Sequence, residues 1–296
     1  ERARSFFNNV TEKFKIGTDI FVVYSPERED PGNPVFTTQK IPKIVAGKTQ
    51  NCLELGIDLY SVCMDMVVPT SSLEVAEMTK LVENIYRSVN IALINELKLV
   101  ADAMGIDIYE VVNAAATKPF GFQAFYPGPG VGGHCIPVDP MYLSWKAKQF
   151  HLNTGLINLA HEINANMPKW VVEKIKNALQ ARGKVLPASN ILILGVAYKP
   201  NIEDTRDSPA LGIIETLQEW DADVSYIDPY VPVINIFDAS GKKLTSDDFN
   251  TVCFSDFDAV VIVTNHSVFD YEFIQNSANL VIDTRGVYKD IYANVI

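Results

Sequence analysis

Apolar positions recur along this chain in two rhythms, and the rhythm changes twice. Up to about residue 70, short apolar runs alternate with polar, turn-rich stretches. Residues 3–14 have helical spacing, DIFVVYS reads as a strand, KIVAG as a second strand, residues 52–60 as a helix and residues 64–68 as a third strand. A loop with Pro26, Pro31, Gly32 and Pro34 separates the first two strands. Strands spaced by helices predict part of a parallel sheet, here an incomplete one. From Ser72 the period becomes helical: Val75, Met78, Val82, Ile85, Val89, Leu93, Leu97 and Val100 recur every three or four residues. They predict one long amphipathic helix, capped by Ser71 or Ser72 with Glu74 in its first turn, ending near Gly105. Residues 107–116 form a shorter helical pattern. A further helical region covers residues 141–181, interrupted at residues 153–155 and expected to kink or break at Pro168. Short apolar runs then return: ILILGVAY as a strand, SPALGIIETLQEW as a helix, and DVSYID, DAVVIVT and NLVIDTR as strands, together a Rossmann-like half. The expected fold class is α/β in three parts: a partial Rossmann unit over residues 1–70, an all-helical part over 71–183 and a Rossmann-like part over 187–296.

Composition narrows the classes of function. The 296 residues are 48% hydrophobic and 21% charged, ordinary for a globular chain of about two domains. A net charge of −11 argues against a broad nucleic-acid or anionic-membrane surface, yet leaves room for a local cationic pocket that takes a phosphorylated small molecule. Cys52, Cys63, Cys135 and Cys253 are widely spaced, with no C-x-x-C pair and no zinc spacing, so free thiols, no metal site and a cytoplasmic setting are expected. No apolar run approaches the ~20 residues of a membrane span, and the opening ERARSFFNN is not a signal peptide. That opening lacks an initiator Met and begins inside a helical pattern, which leads us to expect a chain shortened at its amino end.

The densest chemistry lies in GPGVGGHCIPVDP, residues 128–140. Gly128, Gly130 and Gly133 have the G-x-G-x-x-G spacing of a dinucleotide turn. Such a turn needs a strand before it and a helix directly after it, and here FGFQAFYP precedes and HCIPVDP follows, so the match reads as accidental. Glycines also let a backbone approach a ligand closely, and this loop ends on Cys135, with Asp139 four residues later. A presented nucleophilic thiol and an inert buried one both fit the pattern. His134 and Cys135 are adjacent and cannot easily aim at one ion. On the long helix Lys80 and Asn84 are four residues apart and share a face, with Arg87 and Asn95 extending a polar stripe that a solvated surface explains equally well. After ILILGVAY, the run KPNIEDTR places Lys199, Asp204 and Arg206 at the carboxyl end of a strand, where open α/β sheets bind ligands. The same run reads as the lead-in to a helix capped by Asp207 or Ser208, with Pro209 in its first turn. Arg285 in IDTRGVY follows another strand and points to the same sheet edge.

Together the segments SPERxDPG, EMTKLVENIYRSVNIALINE, FYPGPGVGGHCIPVDP, GVAYKPNIEDTRDSPA and IDTRGVY resemble the UDP-glucose/GDP-mannose dehydrogenase family, in the family's order and over nearly the whole chain. GHCIPVDPMYLSWKA is most similar to the UDP-N-acetylglucosamine 6-dehydrogenase branch, with the UDP-N-acetylmannosamine and UDP-glucose enzymes as alternatives. The resemblance implies a Rossmann domain at the amino end that carries the NAD fingerprint absent here, a central helical dimerisation domain and a carboxyl-terminal domain that binds UDP-sugar. It implies oxidation of the sugar C6 alcohol to a carboxylate by NAD, through a thiohemiacetal and a thioester on Cys135. Lys80 and Asn84 would stabilise negative charge on the C6 oxygen, Asp139 would act in proton transfer, and Glu27 would position sugar or water. Tyr126, Gly132, Gly133, Lys199 and Arg285 would contact the nucleotide sugar, and Arg206 would reach toward NAD. A non-catalytic nucleotide-sugar-binding or dimerisation module is the competing reading. A cysteine hydrolase is weaker, because His134 is adjacent to Cys135 rather than facing it and the other three histidines lie outside recognisable catalytic motifs.

Overall fold

The structure, a computed structural model, describes residues 13–30, 33, 35–238 and 240–296. The helical pattern at residues 3–14 falls almost wholly outside the described residues. The chain forms two compact units, Glu1–Asn84 and Ile85–Ile296.

In the first unit a three-stranded sheet has the order β1 (Val23–Tyr24), β2 (Lys43–Gly47), β3 (Val67–Pro69). β3 runs parallel to β2, but β1 is antiparallel to it, so this sheet is mixed rather than parallel throughout. DIFVVYS contributes only Val23 and Tyr24 to β1. Lys48 N donates to Val22 O at 3.0 Å and carries the antiparallel pairing one position further, while Val22 N turns away to Cys52 Sγ at 3.4 Å. Helix α1 (Gln50–Ser61) is N-capped by Thr49, whose side chain accepts from Cys52 N. Ile44 and Ala46 of β2 pack with Ala76, Tyr24 and Leu73.

Helix α2 (Leu73–Met104) is continuous across the division between the units. Ser72 Oγ accepts from Val75 N at its start, and Gly105, at φ +69°, stops it. Helix α3 (Ile108–Ala116) is capped by Asp107, and α4 (Asp139–Lys148) and α5 (Gly155–Ala181) follow. The break near residue 153 occurs as the pattern predicts. Pro168, by contrast, does not break α5, which continues through it. The lost N–H leaves the Asn164 carbonyl without its helical partner. Met167, Val171 and Val172 are buried on either side of the proline, so packing holds the turn together.

The carboxyl-terminal sheet has the order β5 (Asp223–Ile227), β4 (Asn190–Leu194), β8 (Ala259–Ile262), β9 (Val281–Asp283), all parallel. A hairpin of β6 (Val233–Phe237) and β7 (Lys243–Thr245), absent from the sequence expectation, lies between β5 and β8 in sequence. One sheet face buries Ile191, Ile193 and Val261 against α5 and α6 (Pro209–Glu219), through Val172, Ile175, Leu179, Ile213 and Leu217. The other face buries Leu192, Leu194, Val260 and Ile262 against Phe254, which precedes β8, and against Phe269 and Ile274 in the approach to α7 (Tyr271–Ser277) and in α7 itself. Covered on both faces, the two central strands are continuously apolar, β4 from Ile191 and β8 throughout, rather than at every second position.

Candidate active site

The glycine loop, residues 125–135, is held at both ends by backbone amides. Gly128 N donates to Oδ1 of Asn95, a fully buried side chain on α2. Asn95 Nδ2 donates to Asn164 Oδ1 at 2.9 Å, and Asn164 Nδ2 donates to Ser88 O at 3.1 Å. At the far end Gly133 N donates to Arg206 O at 2.9 Å. Between these ties the backbone lies directly on the carboxyl-terminal part. A Cβ on Gly128 would come within 2.7 Å of Arg285 Nη1, and one on Gly132 within 2.6 Å of Tyr198 Cβ and 2.9 Å of Asp207 O. Gly133, at φ +79°, lies against the Tyr198 ring, and Gly130 packs on Pro209 and the freed Asn164 carbonyl. The glycines therefore serve close approach. No strand precedes them, and α4 begins only at Asp139, so the geometry is not that of a dinucleotide turn.

Tyr109, which sequence reasoning missed, ties this loop to the end of β9. Its buried hydroxyl lies 2.9 Å from Thr284 O and 3.3 Å from Pro127 O, and burial pushes its pKa up. Gly286, at φ +63°, leaves room for the Tyr109 ring, which a Cβ would meet at 2.6 Å. Tyr126 is exposed, stacks on Tyr109 and donates to Asn113 Oδ1 at 2.7 Å. Arg285 is half-buried and donates through Nε to Val263 O at 2.6 Å. Burial pulls its pKa down while Tyr109 and Asp283 pull it back up; the guanidinium remains a cation. Lys199 is half-buried in the loop that leaves β4. Lys199 and Arg285 thus follow the carboxyl ends of strands in one parallel sheet, the edge at which such sheets bind ligands.

Cys135 is half-buried at the end of the glycine loop, and its carbonyl accepts from Asp139 N at 2.8 Å, in the turn that starts α4. Arg206 is exposed and forms a fork with Asp204, Nε 3.0 Å from both carboxylate oxygens and Nη2 2.5 Å from Oδ2. The Arg206 hydrogen bond holds the Asp204 carboxyl below the usual range, and His134 adds a smaller charge effect. Through the Gly133 amide on the Arg206 carbonyl, the loop that carries His134 and Cys135 is tied to the Arg206 backbone. Among the described residues no three His, Cys, Asp or Glu side chains converge as metal ligands. None of the described β–α turns carries the three glycines of a dinucleotide cradle. The turn after β4 has Gly195 alone, and its Val196 and Ala197 amides donate to Asp228.

Glu27, Lys80 and Asn84 lie in the first unit. Glu27 Oε2 is 2.8 Å from Lys43 Nζ, and Glu27 Oε1 accepts from Arg28 N at 2.8 Å. Burial raises the Glu27 pKa, but the Lys43 hydrogen bond, the Arg28 amide and the charges of Lys43 and Lys80 outweigh it, so the carboxyl sits below its ordinary range. Lys43 is a second residue that sequence reasoning missed. The signal was a lysine opening the buried strand KIVAG, an uncommon place for an ammonium group. Arg28 is pinned by Glu83 at 2.6 Å and by Pro42 O at 2.8 Å. On α2, Lys80 is half-buried and Asn84, one turn on, is buried.

Comparison with known proteins matches two family models to the chain. The UDP-glucose/GDP-mannose dehydrogenase family, central domain, matches residues 74–166, and the same family's UDP binding domain matches residues 192–290. Protein CapL of Staphylococcus aureus is 36% identical over 296 residues, covering 97% of this chain and 68% of its own length. A UDP-N-acetyl-D-glucosamine 6-dehydrogenase of Pseudomonas aeruginosa is 34% identical over 264 residues, covering 88% of this chain and 61% of its own. The solved UDP-D-ManNAc dehydrogenase of Pyrococcus horikoshii has a TM-score of 0.85 at 33% identity, covering 99% of this chain and 67% of that one. The chain therefore spans about two thirds of the length of these relatives. With a third of its residues identical over nearly its whole length and both profiles matched in order, the chain belongs to the UDP-glucose/GDP-mannose dehydrogenase family.

Proposed function

We propose that the protein oxidises the C6 alcohol of a UDP-sugar to the uronic acid with NAD as hydride acceptor. UDP-N-acetylglucosamine is the first candidate substrate, and UDP-N-acetylmannosamine and UDP-glucose are the alternatives. The observation that carries this reading is the seating of the glycine loop. Its backbone lies against Arg285, Tyr198 and Pro209 at the ligand edge of a parallel sheet, and it ends on the half-buried thiol of Cys135. Cys52, by contrast, is fully buried. Lys199 and Arg285 supply cations for the diphosphate, and Gly132 and Gly133, with Tyr126 nearby, line the nucleotide sugar. NAD supplies the hydride acceptor, and the described residues form no cradle for it.

Cys135 carries the covalent part of the reaction. Its thiolate adds to the C6 aldehyde; after the second oxidation, water attacks the thioester, releases the acid and regenerates the thiol. Asp139, at the start of α4, moves the proton in these steps. The roles that the resemblance gives to Glu27, Lys80, Asn84 and Arg206 are proposed with it. Glu27 acts in the ionised form, as its pairing with Lys43 favours. A cytoplasmic homodimer completes the proposal, with α2 at its interface. Leu93, Leu97, Val100 and Met104 are exposed on one side of that helix, and among the described residues no helix is long and apolar enough to cross a membrane.

A second reading, a nucleotide-sugar-binding module without turnover of its own, is favoured by the UDP binding domain matched over residues 192–290. One assay separates the two. The full-length protein is mixed with NAD and a panel of the three UDP-sugars, and NADH is followed by absorbance. Two NADH per sugar is the expected stoichiometry of a four-electron oxidation. UDP binding without NADH selects the second reading, and absence of both sinks the proposal.

A further inference from the structure

Beneath the loop that carries Lys199 lies a buried pair that the chemistry above does not use. Asp228 follows β5 and His266 follows β8, and neither side chain reaches solvent. His266 Nε2 lies 3.0 Å from Asp228 Oδ2, and His266 Nδ1 accepts from Asn201 N at 2.9 Å. A backbone amide can only donate, so Nδ1 carries no proton, and the ring is the neutral tautomer with its proton on Nε2 facing Asp228. Asp228 Oδ2 also accepts from Val196 N at 2.7 Å and Ala197 N at 3.0 Å; Oδ1 accepts from Tyr230 N at 2.9 Å and Val231 N at 3.1 Å. Thr264 Oγ1 donates to Ala197 O at 2.6 Å, and Ser267 donates through N and Oγ to Asn201 Oδ1 at 3.0 and 3.1 Å. Residues 196–197 and Asn201 are thus anchored on both sides of Tyr198 and Lys199. Asn201 holds φ +63°, a left-handed conformation that a free loop adopts rarely, so the anchor selects the loop's shape.

We propose that His266 is a positioning residue for UDP binding: through the Asn201 amide it fixes the backbone on either side of Lys199, and with it the Tyr198 ring on which Gly133 rests. This rests on the reading of Lys199 as a ligand of the nucleotide diphosphate. Any buried histidine must satisfy its nitrogens; what is particular here is where the two partners lie. Here one nitrogen holds the carboxylate and the other holds the loop, so the ring transmits the rigid Asp228 anchor to a segment at the ligand edge. The effect belongs to affinity and not to the covalent chemistry at Cys135.

Two substitutions separate the nitrogens. His266→Gln keeps a group at the reach of Nε2 and has none at Nδ1; His266→Asn keeps an acceptor near Nδ1 and gives up Asp228. With UDP as the probe, calorimetry on the full-length protein should show His266→Gln binding about fivefold to tenfold more weakly, the worth of one buried hydrogen bond. His266→Asn should stay closer to the native affinity. If His266 acts through the loop, its loss is not additive with that of Lys199. The double variant His266→Gln/Lys199→Met should then bind UDP no more weakly than Lys199→Met alone. Native affinity in His266→Gln, equal losses in the Gln and Asn variants, or losses that multiply in the double variant would each overturn the proposal. Should His266→Gln not fold, His266→Asn carries the test: it keeps an acceptor facing the Asn201 amide, and a loss of about tenfold in UDP affinity in a variant of native Tm overturns the proposal. Failure of the native protein to bind UDP is a different result: it overturns the proposed function first, and this inference with it.

Discussion

Cys135 and Cys52 show one residue type put to two uses. Cys52 is sealed behind the start of α1, where it accepts from Val22 N and Thr49 Oγ1; Cys135 is half-open at the end of a loop built to lie against a ligand edge. Cys135→Ser should therefore leave folding intact and abolish complete oxidation, because a hydroxyl ionises far less readily near neutral pH than a thiol. NADH stoichiometry is the measurement, and full two-NADH turnover in the variant removes Cys135 from the mechanism. Asp228 makes a prediction about acid. Burial raises its pKa, but the His266 bond and the Tyr230 and Val196 amides outweigh this and leave it lowered. A depressed carboxyl stabilises the fold fully above its unfolded value of about 3.9, and that contribution is lost as pH falls through the lower folded value. Asp228→Ala should cost about 3–5 kcal/mol near neutral pH, since it strands several buried donors at once. Its denaturant midpoint should also vary less with pH below about 4 than the native one; an equal acid slope in the two proteins excludes Asp228 as its source.

At the scale of elements, the loop and the helices behind it stand or fall together. Asn95 and Asn164 are poor helix formers inside α2 and α5, yet they relay hydrogen bonds from Ser88 O to Gly128 N. Asn164→Ala should destabilise by about 1–3 kcal/mol, because the Asn95 amide and the Ser88 carbonyl lose their partner. Gly132→Ala should cost a similar ~1–3 kcal/mol through overpacking and should weaken UDP binding as well, since the loop must lift off Tyr198 and the Asp207 carbonyl. Chemical denaturation with UDP calorimetry tests both, and wild-type values in Gly132→Ala would show that the seat is loose. The long helix, its serine cap and the Gly105 stop were legible from spacing alone, because they depend on local bonds. Whether Pro168 would end α5 was not legible for the opposite reason: that depends on what packs around it, and Met167, Val171 and Val172 hold the helix together.

For the whole molecule, the apolar row on α2 has a consequence in solution. Leu93, Leu97, Val100 and Met104 follow one another at helical spacing, and Leu93 is 53% and Met104 66% exposed in the single chain. Apolar area left in water costs about 25 cal/mol per Å2, and a two-fold partner covers such a row with its own copy. Light scattering at micromolar concentration should report twice the 32.9 kDa chain mass. Leu97→Asp should shift the species toward monomer by placing a charge in the contact. A native monomer at that concentration rules the interface out.

Local rhythm, caps and stops determined most of the elements, and a set of ordered motifs determined the family, because both are written in neighbouring residues. DIFVVYS shows the limit of that rule: as a free segment it reads as a seven-residue strand, but only Val23 and Tyr24 form β1, and the Val22 amide turns to Cys52 Sγ. Only tertiary structure decided that Arg206 turns to Asp204, that Tyr109 joins the glycine loop to β9 and that Lys43 grips Glu27. It likewise decided that Asp228 and His266 share one buried anchor across 38 positions of sequence. The physical reason is common to all four. Spacing encodes which face of an element a side chain occupies, whereas the partner of a polar group is chosen by whichever donor or acceptor the folded chain brings within about 3 Å.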